Sequence, residues 1–174
     1  MSLPADEVAA RARRVRLVLT DCDGVLTDTG IYYSVRGEEM KRFSFRDGMG
    51  FERLRKSDIA AAIVTGENSD MVTRRAEKLG IRAFLGVKDK SAAAQEIFSE
   101  YGVAADEVAF IGDDVNDLGL IQFLDETGLT GAPRDAMPDV VRGVHWVSTV
   151  VGGHGAFRDF AEWILSARAE VSAS

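Results

Sequence analysis

A single cysteine, Cys22, stands in the 174 residues, so no disulfide can form within the chain, and a reducing compartment, the cytoplasm, is expected. There are two histidines, His145 and His154, and neither is spaced with a cysteine as a metal-binding pair. Positive charge is also scarce: 21 Lys and Arg stand against 28 Asp and Glu, for a formal charge of -7. That balance argues against nucleic-acid phosphates or an anionic membrane as partners. No apolar run reaches the roughly 18 to 20 residues a bilayer span needs, and the N-terminus lacks the apolar core of a signal peptide. Low-complexity tracts, internal repeats and long linkers are missing as well, and only Ala169 to Ser174 reads as a disordered tail.

What is present is a chain with 46% hydrophobic residues, enough for one sizeable core and short for two, so one domain over 1–174 is expected. Residues 5 to 14 read as a short amphipathic helix. Three apolar runs of strand length follow at intervals: Val15 to Thr20, Ile59 to Thr65 and Val108 to Gly112. Between them Gly48 to Ser57, Ser69 to Leu79 and Ser91 to Tyr101 carry apolar residues at helical spacing, and Leu118 to Leu124 reads as another helix. Alternation of this kind predicts an α/β fold with a doubly wound parallel sheet, whose ligands bind beyond the carboxyl ends of the strands. Residues 30 to 45 interrupt it with a β-hairpin signature, too short to be a cap domain.

Acidic residues collect where the strands end. Asp21 and Asp23 in Asp21-Cys22-Asp23-Gly24 are two residues apart, which aims both carboxylates to one side of an extended chain while Cys22 faces the core. Alone, the motif is equally a solvated strand end with a turn glycine. Gly112-Asp113-Asp114-Val115-Asn116-Asp117 closes another strand, and its crowded carboxylates call for a cation, although a run of helix-capping residues would look similar. Together the two clusters suit Mg²⁺, which prefers carboxylate oxygens. Thr65-Gly66 offers a hydroxyl and an amide to a phosphate oxygen, and Lys90, with Lys88 as a competitor, offers it a positive charge.

In that order, Asp21-x-Asp23-Gly24-Val25, Thr65, Lys90 and Gly112-Asp113-Asp114-x-x-Asp117 resemble the four-motif signature of the haloacid dehalogenase phosphatases. The likeness is closer to the capless branch that acts on 3-deoxy-octulosonate 8-phosphate and related nine-carbon sugar-acid phosphates. It spans roughly residues 15 to 168 and rests on Asp23 to Gly30, Phe45-Arg46-Asp47-Gly48, Val64-Thr65-Gly66 and Gly152-Gly153-x-Gly155-Ala156-x-Arg158. Two positions depart from it. Asp28-Thr29-Gly30 stands where octulosonate enzymes tend to read Asp-Gly, and Glu67 stands where many have arginine.

The resemblance implies a phosphatase with Asp21 as nucleophile, Asp23 as acid and base, and Thr65 and Lys90 on the phosphoryl oxygens. It implies Mg²⁺ at Asp21, the Asp23 carbonyl and Asp113, with Asp114 nearby. Glu67, paired with Lys78 if both lie on one helix, would set substrate choice between eight and nine carbons, beside Gly66. It further implies a homotetramer in which Arg46, Asp47 and Arg158 complete a neighbouring site. The aromatics Tyr32, Tyr33, Phe43 and Phe45 fit such an assembly as exposed apolar surface. A non-catalytic module on the same fold, or a phosphatase of broad specificity, are the competing readings.

Overall fold

A computed structural model describes residues 3–169. Six strands form one parallel sheet in the order β5-β4-β1-β6-β7-β8, where β1 is Leu17–Thr20, β4 Ala60–Val64, β5 Arg82–Phe84, β6 Val108–Ile111, β7 Leu129–Ala132 and β8 Trp146–Val147. The strand order reverses at β1, which pairs in register with β4 on one side and β6 on the other. That reversal opens a crevice at the carboxyl end of β1.

Alternation along the strands decides which layer each residue feeds. Val18, Ile63, Ala109, Ile111 and Leu129 point to one face, and Leu17, Leu19, Ala62, Val64 and Phe110 to the other. The first face is covered by α1 (Ala5–Arg14), α2 (Phe45–Arg55), α3 (Asp70–Leu79) and α7 (Ala156–Ala169), through side chains such as Val8, Phe51, Val72 and Phe160. On the second lie α4 (Lys90–Tyr101), α5 (Leu118–Leu124) and α6 (Pro138–Gly143), contributing Ile97, Phe98, Leu120 and Val140. Both faces of the central strands are therefore dry, as apolar, non-alternating runs require. Cys22 is fully buried in the first core, where burial pushes its thiol pKa up. Among the described residues no helix is long and apolar enough to cross a membrane.

The hairpin is β2 (Ile31–Ser34) with β3 (Gly37–Lys41), antiparallel and outside the sheet. No cap domain accompanies it among the described residues. Several boundaries differ from the sequence reading. Phe45, read as the last residue of the hairpin, opens α2 instead, ahead of Arg46 and Asp47, because the Ser44 hydroxyl accepts the Arg46 N–H at 3.1 Å and caps the helix there. The glycine-rich segment leads into the 14-residue α7, which includes Ala169; the rest of the expected tail, residues 170–174, lies outside the described residues. Tyr32, Tyr33 and Phe45 are exposed as expected, at 61%, 68% and 84%. Phe43 is not: it packs against the first core with the Arg75 guanidinium 5.6 Å from its ring.

Candidate active site

The acidic and hydroxyl residues of interest stand at or within three residues beyond a strand end, so the sheet register brings them together. Asp21 comes after Thr20 of β1, and its N–H is held by the Ile111 carbonyl of β6 at 2.9 Å. Thr65 follows β4, and Asp113 comes two residues after β6. These, with Asp23, Gly66, Glu67, Lys88 and Asp114, line a cavity of about 360 Å³ at the crevice.

Asp21 is 4% exposed, and its pKa is raised to about 6 by burial and by the charge of Asp117, against the opposing pull of Lys90. Lys90 lies beneath the cavity, 2% exposed, with its Nζ 2.7 Å from Asp21 Oδ1 and also bonded to Asp117. Burial works against the Lys90 charge, but the two flanking carboxylates outweigh it and hold its pKa above the ordinary value. Asp117, fully buried, uses its other oxygen to accept the N–H groups of Asp113 at 2.8 Å and Asp114 at 3.3 Å. It is a strut that shapes the second acidic loop.

Asp113 has no such support. Its Oδ1 is buried without a hydrogen-bond partner, and burial together with the charges of Asp21, Asp117 and Asp114 raises its pKa to about 8. Carboxylate oxygens of Asp21, Asp113 and Asp117 lie within 4.8 Å of one another. A backbone cradle adjoins them: Gly24 has φ +91°, and a Cβ there would overlap the Asp113 carboxylate. An orphaned buried oxygen among hard oxygen donors, with Asp117 already neutralised by Lys90, is what a hard divalent cation at Asp21 and Asp113 would complete.

Two further carboxylates stand outside the triad, as a carbonyl-only part for Asp23 and a nearby place for Asp114 allow. Asp114 lines the cavity, but its carboxylate accepts the Val115 N–H at 2.6 Å and starts the following turn, outside the acidic triad. The Asp23 carboxylate is also outside it: both oxygens are taken by Lys41 Nζ, at 2.9 and 2.8 Å, and Oδ1 accepts the Thr27 hydroxyl at 3.2 Å. Its side chain is thereby held at the cavity wall. Lys41, at the end of β3, is 2% exposed at its side chain and was missed in the sequence, as was the part played by Asp117.

Glu67 and Lys78 do not share a helix. Gly66 to Ser69 form a loop and α3 begins only at Asp70, so a count of three helical turns does not apply. Glu67 lines the cavity with its Oε1 3.7 Å from Lys88 Nζ, whereas Lys78 lies 6.0 Å from the centre of the Phe45 ring. Arg46, Asp47 and Arg158 do not line this cavity either. Asp47 is buried at the α2–α7 junction, where its Oδ1 accepts the Arg158 N–H at 3.1 Å. Arg158 itself pairs with Glu162 at 2.7 Å, and Arg46 borders a separate groove with Phe45 and His154. Both histidines are accounted for locally, His145 by Thr130 and His154 by the Gly152 carbonyl.

A parallel sheet carries a buried carboxylate at its reversal point, over a buried lysine and beside an acidic loop, and the comparisons place this arrangement in a class of hydrolases. The model of haloacid dehalogenase-like hydrolases matches residues 49–122. A 3-deoxy-D-manno-octulosonate 8-phosphate phosphatase of Yersinia pestis is 39% identical over 94% of this chain and 87% of that protein. One from Haemophilus influenzae is 37% identical over 93% and 89%. The fold of a Moraxella catarrhalis octulosonate 8-phosphate phosphatase, solved with magnesium, phosphate and a KDO molecule, matches with a TM-score of 0.89 at 34% identity, covering 98% of this chain and 97% of that one. A cobalt-bound form from Haemophilus influenzae gives 0.87 at 37% identity over 94% of each chain. The chain belongs to the haloacid dehalogenase-like hydrolases, in the branch of these octulosonate phosphatases. Its reaction is accordingly the hydrolysis of a phosphoric monoester.

Proposed function

We propose that this protein is a Mg²⁺-dependent phosphatase for a 2-keto-3-deoxy sugar-acid phosphate of eight or nine carbons. The observation that carries the reading is Asp21: 4% exposed, at the cavity floor, and held by Lys90 at 2.7 Å. The relatives' named substrate makes the eight-carbon octulosonate 8-phosphate the first candidate. Glu67 at the mouth, in place of the arginine common in that branch, keeps the nine-carbon acid beside it.

In the proposed reaction an Asp21 oxygen attacks phosphorus in line, and the bond from phosphorus to the sugar oxygen breaks. The leaving oxygen takes a proton from Asp23, whose carboxylate Lys41 and Thr27 hold facing the cavity. Water then attacks the aspartyl-phosphate, gives a proton back to Asp23, and releases inorganic phosphate and the Asp21 carboxylate. Thr65, Gly66 and Lys90 orient the phosphoryl oxygens and balance their charge. Mg²⁺, held by Asp21, Asp113 and the Asp23 carbonyl, would neutralise phosphoryl charge as a Lewis acid. Asp113 and Asp21 need such a counter-charge, since both are buried and shifted upward.

The site is open, and the hairpin exposes Tyr32, Tyr33, Val35 and Met40, so we assign a homotetramer in which neighbours cover the mouth. Arg46 and Arg158, which do not line their own cavity, are then available to an adjacent one. Phosphate release with and without Mg²⁺, on eight- and nine-carbon ulosonate phosphates beside glucose 6-phosphate, tests the substrate. Hydrolysis of the sugar acids that is strongly preferred and Mg²⁺-dependent supports the reading, and no hydrolysis of any of them refutes it. A monomeric mass by light scattering at full activity would remove the shared site.

A further inference from the structure

The cavity that would take a sugar acid bearing both a carboxylate and a phosphate is lined by Asp21, Asp23, Glu67, Asp113 and Asp114, and by one cationic side chain among the described residues, Lys88. The two other lysines nearby are committed elsewhere: Lys90 is buried on Asp21 and Asp117, and Lys41 on Asp23. Lys88 is different. Its side chain is 78% exposed, and its contact with Glu67 is 3.7 Å, too long for a hydrogen bond. Such a pair between exposed side chains is worth little and yields readily to a competing anion.

Lys88 is nonetheless carried on a well-fixed loop. The Val87 N–H bonds the Thr65 carbonyl at 2.9 Å, the Gly86 N–H bonds the Glu67 carbonyl at 3.2 Å, and the Lys88 N–H bonds the Gly86 carbonyl at 3.0 Å. Gly86 turns with φ +68°, and the Asn68 side chain fills the space where a Cβ would stand. The Lys88 stem runs beside Gly66: a Cβ built there would lie 3.7 Å from Cδ and 3.9 Å from Nζ. An alkyl chain laid along backbone in this way directs its ammonium over the cavity mouth.

We infer that Lys88 binds the carboxylate of the sugar acid and that Glu67 is its counter-ion until substrate arrives. In such an acid the carboxylate and the phosphate ester stand at opposite ends of the carbon chain, and the cavity offers them different depths: Lys88 is exposed at its rim while Asp21 is buried. The substrate exchanges a weak surface pair for a charge-assisted hydrogen bond, leaving phosphate chemistry to Asp21 and Lys90. The inference rests on the phosphatase reading and names the residue that selects the acid.

The test is steady-state kinetics of K88A, K88R and E67Q on the better ulosonate phosphate and on p-nitrophenyl phosphate, which has no carboxylate. K88A is expected to raise KM for the acid about tenfold, the size of one charge-assisted hydrogen bond, with kcat moved less. The KM rise on the aryl ester is to be several-fold smaller. K88R should recover most of the loss, and E67Q should lower KM for the acid by removing the competing anion. Equal KM rises on both esters, a fall in kcat in place of KM, or a higher KM in E67Q would overturn the inference while the phosphatase reading stands. A wild-type protein that hydrolyses neither ester removes both.

Discussion

Asp117 and Asp21 share one ammonium: Lys90 Nζ is bonded to both, in a setting where all three side chains are 5% exposed or less. Neither carboxylate tolerates the loss of that charge, because burial alone already raises Asp21 and the Asp117 charge raises it further. Lys90→Met keeps the length and removes the charge. It is expected to lower kcat by at least about a hundredfold, the scale of a lost electrostatic stabiliser. It should also lower stability by about 3 kcal/mol, as for one partner removed from a buried pair. Denaturant melts beside phosphate-release assays measure the two effects separately.

The orphaned oxygen of Asp113 predicts how the fold responds to metal. A cation that binds the native state alone stabilises it by about 2.7 kcal/mol at a hundred times its dissociation constant. Addition of Mg²⁺ should therefore raise the melting temperature, and chelation should reverse it. In Asp113→Asn the repulsion with Asp21 and Asp117 is relieved. This variant should melt higher than the metal-free wild type and show no further rise with Mg²⁺. A wild-type melt indifferent to Mg²⁺ would exclude a metal at this loop.

Lys41 predicts a catalytic function for a hairpin that otherwise looks peripheral. Nearly every residue of β2 and β3 is exposed or half-exposed, yet the Lys41 side chain is buried on Asp23. The adjacent Arg42 ties the hairpin base to Asp28 at 3.2 Å and to the Gly153 carbonyl at 2.9 Å. Lys41→Met frees the Asp23 carboxylate to rotate, and kcat should fall tenfold or more, on the order of a misplaced acid-base group. Arg42→Met loosens the same hairpin without touching Asp23 and should cost much less. Parallel kcat measurements on the two variants decide whether the contact serves chemistry or anchoring.

How much of this could be read from sequence depended on distance along the chain. Asp21, Thr65 and Asp113 were legible because each stands within two residues of a buried strand's end, where apolar pattern and polar punctuation coincide. The Lys41–Asp23 contact bridges 18 residues from within a hairpin whose neighbours are solvent-facing, and nothing in the local pattern marks it. Asp117 looked like a helix-capping residue, and its bond to Lys90 spans 27 positions. The strands β5 and β8 have 3 and 2 residues, too few for any periodicity to register, and β7 sets Thr130 among its apolar residues. β7 further contains Gly131, a strand-breaking signal, which is needed because a Cβ would press to 2.8 Å on the Phe160 ring. Glu67 and Lys78 failed as a pair since helix spacing was extended across a loop.

Asp47 supplies a pH dependence independent of the metal site. It is 1% exposed, and burial raises its pKa from the ordinary 3.8 to about 6, although the Arg158 N–H on Oδ1 pulls the other way. Its Oδ2 has no hydrogen-bond partner. A carboxyl with a raised native pKa binds its proton more tightly when folded, so the ionised form weakens the fold. That penalty is complete above pH 6 and is relieved as pH falls from about 6 toward 3.8. Asp47→Asn keeps an acceptor for Arg158 and removes the titration. Its melting temperature should rise less than that of wild type between pH 6 and pH 4, and thermal melts across that window check the slope. If the two slopes coincide, the buried junction of α2 and α7 holds Asp47 in some other balance, and the pH response of the fold lies elsewhere.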